Sequence, residues 1–402
     1  MEMHYLNRRP PEEAAASNRW LGVGESLESE SREAGRAAAR QALEGRDPKL
    51  LLVFCSDAHD LDGLLAAVNE ESEGAPLIGC SAAGEISTSG PTDASVVVVA
   101  LGGEGFSVAT AAASGASEHL REAGADVAAA IGDVGDKPHR TLIILTDGLA
   151  GDQREIVAGA YSVAGAGVPL VGGCAGDDLK MKRTFQFHDG DVMEDAVVAA
   201  ALGSDAPIGI GVRHGWRKVG EPMLVTESAN NRVYRLDDEP ALDVYLERLN
   251  APEDTRADPE AFTAFALTHP LGLSRRTGEE QVRFIGEASF EDRSLGCIAE
   301  VPQGGLAWLM EGDEQSVLRA TDGACGDALA AVGAGTPRGL IAFDCIARRG
   351  VLGAEGIAAE VRRIAQHGRG APVAGFYTYG EIARTRGVTG FHNQTLVVLA
   401  LG

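Results

Sequence analysis

Three carboxylates stand at the same distance from a proline. Glu85 follows Pro76, Asp178 follows Pro169 and Glu381 follows Pro372, each by nine residues, with glycine at the third position as Gly79, Gly172 and Gly375. An acid beside glycine-rich backbone at a strand end is placed to bind an ammonium group. Arg183 or Arg348 would supply a guanidinium, whose fork of donors grips a carboxylate. Together such groups hold a zwitterion, which makes amino acids the ligand class this chemistry suggests. Gly380, Tyr379, His392 and Asn393 lie close to Glu381 in sequence, so Glu381 is the foremost candidate. Gly172, Gly173, Cys174 and Asp177 accompany Asp178 in the second segment. A structural alternative stands beside each acid, because an acid after glycine also caps a helix or closes a turn. Asn393 equally serves a turn by bonding backbone groups.

Two thiols, Cys174 and Cys345, fall where strands run into glycine-rich or polar loops, with His188 and His392 as candidate bases. A cysteine nucleophile needs such a base; the alternative is a small buried thiol. His214, two residues before Trp216, is the candidate axial ligand should a haem bind. No Cys-x-x-Cys-His sequence occurs, so that haem would be non-covalent. Neither an HExxH zinc motif nor a GxxxxGK[ST] phosphate loop is present. No metal site is expected.

The elements that must position these residues repeat. Apolar runs at Leu50–Cys55, Thr141–Thr146 and Gly339–Cys345 read as buried strands. Helical stretches follow at Leu61–Glu71, Gln153–Ala164 and Glu355–Gln366, and others precede the runs at Glu28–Leu43, Ser117–Ile131 and Gln315–Val332. Each unit closes on a strand ending in Leu-Gly: Val96–Gly102, Val197–Gly203 and Leu396–Gly402. The unit is therefore helix, strand, helix, strand, strand, which predicts an α/β fold of mixed sheets covered by helices. A fourth match at Pro270, with Gly278-Glu279 beyond it, lacks the third-position glycine. The stretch from Pro207 to Leu249 departs from the unit, and the charged, proline-containing Ala251–Glu260 reads as a linker. That gives two domains, 20–250 and 251–402.

Composition narrows the partners. Lys and Arg number 35 against 59 Asp and Glu, a formal charge of −24 that argues against nucleic acid and anionic membrane. No apolar stretch approaches the ~18 residues of a membrane span. The first eighteen residues lack the apolar core of a signal peptide. Six cysteines without a Cys-x-x-Cys pair suit a reducing compartment, so a soluble cytoplasmic protein is expected. Glycine is abundant, 52 residues of 402 or nearly twice the usual ~7%. Much of the excess marks the repeated segments, which proposes them as the ligand edge of the sheets.

The residues also carry a family resemblance. Phe343-Asp-Cys345-Ile-Ala-Arg348, then Gly375-Phe-Tyr-Thr-Tyr-Gly380-Glu381-Ile and Phe391-His392-Asn393-Gln394-Thr395, resemble the FIST C-terminal domain. Ile78-Gly-Cys80-Ser-Ala-Ala-Gly84-Glu85-Ile and Gly172-Gly-Cys174-Ala-Gly176-Asp177-Asp178 resemble the FIST N-terminal domain. His214-Gly-Trp216 and Pro240-Ala-Leu-Asp-Val-Tyr245 look like further family positions. The resemblance implies a sensory module that binds a small molecule, amino acids among the suggested ligands, rather than an enzyme. It also implies action on a separate output partner such as a histidine kinase, since no output domain is read in the sequence. A haem-bound nitric-oxide sensor regulating a histidine kinase is the alternative that some such proteins suggest. A cysteine-dependent enzyme on the same scaffold is the other. One departure stands out: alanine occupies position 347, where the resemblance suggests glycine in Cys-x-Gly-Arg.

Overall fold

A computed structural model describes residues 18–274, 281–385 and 390–402. The repeat is three copies of one unit. The first runs through β1 (Trp20–Ser26), α1 (Ser31–Leu43), β2 (Leu50–Cys55), α2 (Leu61–Ser72) and β3 (Leu77–Ser81). It ends with the hairpin β4 (Glu85–Ser87) and β5 (Gly90–Thr92) and the return strand β6 (Val96–Gly102). The second comprises β7 (Phe106–Ser114), α3 (Leu120–Ala128), β8 (His139–Thr146), α4 (Gln153–Ala164) and β9 (Leu170–Cys174). Its hairpin is β10 (Gln186–His188) with β11 (Asp191–Met193), and its return strand is β12 (Ala196–Ser204).

The third unit opens with β13 (Ile208–Arg213) and is then interrupted by residues 214–313. This inserted domain contains β14 (Arg217–Ala229), β15 (Arg232–Leu236), β16 (Glu239–Pro240), α5 (Ala241–Arg248) and α6 (Pro259–Ala266). It continues with β17 (Leu271–Leu273), β18 (Gln281–Arg283), β19 (Ile285–Ser289), β20 (Ser294–Cys297) and β21 (Leu306–Glu311). The unit resumes with α7 (Glu314–Val332), β22 (Gly339–Cys345), α8 (Ile346–Gly368, broken at Gly353) and β23 (Val373–Thr378). The hairpin β24 (Glu381–Arg384) and β25 (Phe391–His392) and the return strand β26 (Leu396–Leu401) complete it.

Each unit builds a four-stranded mixed sheet in the order opening, return, second, third strand, and then receives a hairpin from a neighbour. The exchange is cyclic. The first unit's hairpin pairs with β23, the second's with β3 and the third's with β9. A third strand would otherwise present an open edge of unpaired backbone groups, which a hairpin from the next unit covers.

The second and third strands are parallel and buried on both faces. Their unbroken apolar sequences follow from that. Inward side chains of all three sheets meet in one central core that includes Phe54, Phe343 and Phe376. The Phe54 and Phe376 rings stack with centroids 4.7 Å apart. Outward faces are covered by α1 and α2, by α3 and α4, and by α7 and α8. The inserted domain keeps its own core around Tyr245, Phe262 and Leu295.

The repeated proline and glycine now have physical roles. The carbonyls of Pro76, Pro169 and Pro372 accept from the N–H of Leu51, Leu142 and Leu340 at 2.8, 3.0 and 3.0 Å. A proline at that strand start needs no donor of its own. Gly172 and Gly375 lie mid-strand at φ 149° and 156°, and a Cβ on either would press into the carbonyl oxygen of Ile144 or Ala342. These glycines let parallel strands approach, so they are a packing device within the strands.

The α/β class with helix-covered mixed sheets agrees with the sequence reading, and the differences lie in connectivity. β1 and β7 escaped the repeat pattern, and β13, read as a departure from it, opens the third unit. Positions 250 and 251, where the two expected domains meet, follow α5. The expected linker 251–260 forms a 3-10 turn at Glu253–Arg256 and the start of α6. Leu271, after the weak fourth match, begins an antiparallel strand of the inserted sheet, while Gly278 and Glu279 lie outside the described residues. Ala347 sits in the first turn of α8, where alanine is well suited.

Candidate functional site

At the carboxyl ends of β3, β9 and β23 the three units close a ring of backbone hydrogen bonds. Tyr377 N–H donates to Gly84 O at 2.9 Å, Cys174 N–H to Gly380 O at 2.8 Å and Ser81 N–H to Phe185 O at 2.9 Å. In return, Ala83 N–H donates to Tyr377 O, Tyr379 N–H to Cys174 O and Gly176 N–H to Ser81 O, at 3.0, 3.3 and 3.0 Å. The glycine-rich segments are therefore knotted to one another, and most of their backbone is occupied.

The repeated acids divide. Glu85 and Glu381 are fully buried, each as the first residue of an exchanged hairpin. Glu85 Oε2 accepts from the N–H and hydroxyl of Ser95 at 3.0 and 2.7 Å. Glu381 Oε2 accepts from the N–H and hydroxyl of Thr395 at 3.0 and 2.7 Å, and Oε1 accepts from the Thr378 hydroxyl at 2.8 Å. Ser95 and Thr395 each precede a return strand, so the acid fastens hairpin to unit. Burial pushes the Glu85 carboxyl up to about 8 and that of Glu381 to about 7. The lower value suits the extra donors around Glu381; Glu85 Oε1 has no hydrogen-bond partner among the described residues.

Asp178 is not their structural counterpart. Gln186 is: it opens the second hairpin and stands opposite Cys80, as Glu85 stands opposite Phe376 and Glu381 opposite Gly173. Gln186 Oε1 accepts from Ala196 N–H at 3.2 Å. The longer segment before it puts Asp178 in a left-handed turn at the surface, near Lys180 and Ser56. Asp177 is buried and clamps that segment, accepting from the N–H of Met181, Lys182 and Arg183 and from the Tyr379 hydroxyl. Burial opposes ionisation there, but those donors hold its carboxyl below the usual range.

The zwitterion partners envisaged from sequence are engaged elsewhere. Arg348 is fully buried, donating to Asp344 at 2.7 Å and to Glu360, and it bonds the His214 carbonyl at 3.2 Å. Burial first, and then the neighbouring Glu360 carboxylate, push the Asp344 carboxyl well above its ordinary range. Arg183 pairs with Glu194 at the surface. His392 Nε2 lies 3.0 Å from the Ala383 carbonyl, and Asn393 is buried. Gly380 lies under the Phe391 ring, and Gly172 and Gly173 are inside β9.

The structure does bring Cys174 and Tyr379 together, in the wall of a cleft of about 480 Å³ between the second unit and the inserted domain. Gly148, Gly151 and Asp152 enter it from the β8–α4 connection, at the carboxyl end of β8, and Gln153 and Arg154 from the first turn of α4. Asn230, Asn231 and Ile298–Glu300 face them from the inserted domain, and Phe391 joins from the exchanged hairpin. Arg154 spans the cleft, paired with Asp152 at 2.7 Å and with Glu300. Burial opposes it, but the Arg154 side chain and N–H hold Asp152 below the carboxylate range. Gln281 donates to the Phe391 carbonyl at 2.9 Å, which ties the insert to the exchanged hairpin. Sequence reasoning missed these residues. The available signal was Asp152-Gln-Arg154 at the strand-to-helix junction; nothing in the sequence places residues 298–300 opposite it.

The thiols are all free and buried. Burial pushes Cys174 up to about 12 and Cys345 well above the ordinary thiol range. Beside His214 is a cavity lined by Arg213, Arg217 and Arg319. Val212, Trp216 and Ala320 line the same cavity. No helix among the described residues is long and apolar enough to cross a membrane.

Known proteins are similar in part. Over 162 residues the chain is 26% identical to an uncharacterized protein of Methanocaldococcus jannaschii, covering 38% of this chain and 31% of that one. The chain thus matches about a third of that relative's length. The crystal structure of a cyanuric acid hydrolase from A. caulinodans aligns with 48% of this chain and 72% of its own, at 12% identity and a TM-score of 0.28. The FIST N domain matches residues 49–239 and the FIST C domain residues 241–384. With both domains matched in order over most of its length, the chain belongs to the FIST family.

Proposed function

We propose that this chain is a small-molecule sensor whose ligand occupies the cleft between the second unit and the inserted domain, and that it reports to a separate signalling partner. FIST domains are associated with signal transduction, which supports the general role. The cleft carries the specific reading. It joins one guanidinium and two carboxylates to the Tyr379 and Phe391 rings and Ile298. A small amphipathic zwitterion matches that lining: its ammonium meets Glu300 or Asp152, its carboxylate meets Arg154, and an apolar side chain meets the rings. Amino acids are the ligand class we infer. Entry of such a ligand loosens the Arg154–Glu300 pair and so shifts the inserted domain, which is the change a partner such as a histidine kinase would read.

Sensing is favoured over catalysis because the nucleophile-type group in the wall, Cys174, holds its proton at neutral pH. Six free thiols suit a reducing cytoplasm.

The test is a thermal-melt panel of the twenty amino acids on the full chain. A ligand that prefers the folded state raises the midpoint. The expected result is a shift from one group of amino acids that Arg154→Gln removes. A panel without any shift, or a shift unchanged in that variant, overturns the reading.

A further inference from the structure

We propose that a groove on the outer side of the third unit seats the same helix of a second copy of this chain, so that two copies join about a two-fold axis. The groove, about 690 Å³, runs between the tip of the first unit's hairpin, residues 88–91, and the second half of α8. It exists only because that hairpin is exchanged onto β23. None of its residues lines the cleft proposed for the ligand.

The helix wall is apolar. Ala354, Ile357, Ala358, Val361 and Ala365 recur along α8 at helical spacing, and Pro91 lines the groove with them. No carboxylate lines it. The corresponding seam, where the second hairpin meets α2, is closed: Asn69 donates to the Asp189 carbonyl at 3.0 Å, and its amide would stand 3.7 Å from a Cβ on Gly190. A Cβ on Gly90 would meet nothing within 4 Å.

Charge selects the occupant. Glu355 and Arg362 are exposed on one rim of the helix wall, two turns apart on the same side of α8. That separation is too long for them to pair with each other. Residues three and four positions from either are Val351, Leu352, Ala358, Ala359, Ala365 and Gln366, none of them charged. Neither side chain makes a hydrogen bond or ion pair among the described residues.

In a two-fold interface, a residue that meets another is matched by the reciprocal contact. Glu355 and Arg362 are equidistant from the junction of Ala358 and Ala359. An antiparallel crossing centred there sets Glu355 of each copy opposite Arg362 of the other. A helix carrying a single sign of charge would leave one of the two unpaired. A second α8 satisfies both, and its apolar face covers the groove wall.

The experiment is sedimentation velocity on the full chain from about 1 to about 200 μM at low ionic strength, the range in which a small interface dissociates. In Arg362→Glu two acids face each other at both ends of the crossing, and in Glu355→Arg two guanidiniums do. Both positions are exposed, so the fold is retained. An equimolar mixture of the two variants restores opposite charges at both ends. The expected result is a wild-type dimer, a dissociation constant raised about tenfold or more in each variant alone, and a mixed dimer close to wild-type strength. Wild-type protein that stays monomeric across the range assigns the groove to another occupant and overturns the proposal. So does a dimer that both reversals leave unchanged, or a mixture no tighter than either variant by itself.

Discussion

Glu85 and Glu381 illustrate how a buried acid changes meaning once its neighbours are known. Both are inaccessible to ligand, and both bind a hydroxyl and an N–H at the start of a return strand. Their raised pKa values make the folded state hold protons that the unfolded chain releases near pH ~4.5. The stability from this source is fully present below that value and is lost as pH rises through about 7 for Glu381 and about 8 for Glu85. Melting temperature measured from pH 5 to 9 is expected to fall across this window in the wild type and to fall less in Glu85→Gln and Glu381→Gln. Gln186 already holds the corresponding place in the second unit as a neutral amide. An unchanged slope in both variants would show that the buried carboxyls are not the titrating groups.

Strand-level packing explains the repeated glycines. Gly172 and Gly375 combine a left-handed backbone with contact against a neighbouring strand's carbonyl. Alanine at either is expected to cost about 1–3 kcal/mol or more, from overpacking with backbone strain added. Chemical denaturation of Gly172→Ala and Gly375→Ala checks this; a loss below about 0.5 kcal/mol would mean the strands yield more easily than their contacts indicate. The proline-glycine spacing was legible as a repeat, but its purpose was not, because the clash involves residues about thirty positions away. The second-unit acid misled for a related reason: the added segment before β10 shifts the hairpin start from Asp178 to Gln186.

At the scale of the molecule, cyclic hairpin exchange makes each unit incomplete without its neighbours. β3, β9 and β23 each lose their outer partner when the contributing unit is removed. An excised first unit, residues 18–102, is therefore expected to lack stable tertiary structure. Dispersed amide resonances from that fragment in an NMR spectrum would contradict this. The inserted domain has a different status, with its own core and a root between β13 and α7. The proposed ligand cleft depends on it, because that cleft lies between it and the second unit.

The sequence by itself determined the α/β class, the threefold repeat, its helices and its buried parallel and return strands, because local periodicity and apolar runs encode such elements directly, whereas β1, β7 and the short exchanged hairpins escaped it. It also carried the family, through short motifs spread along the chain. Which unit completes which sheet, which residue of the second unit matches Glu85 and Glu381, and where a ligand finds room were decided only in three dimensions. Those outcomes depend on contacts between residues a hundred or more positions apart. Arg154 meeting Glu300 and Tyr379 meeting Asp177 are consequences of how the chain closes on itself, and no local pattern announces them.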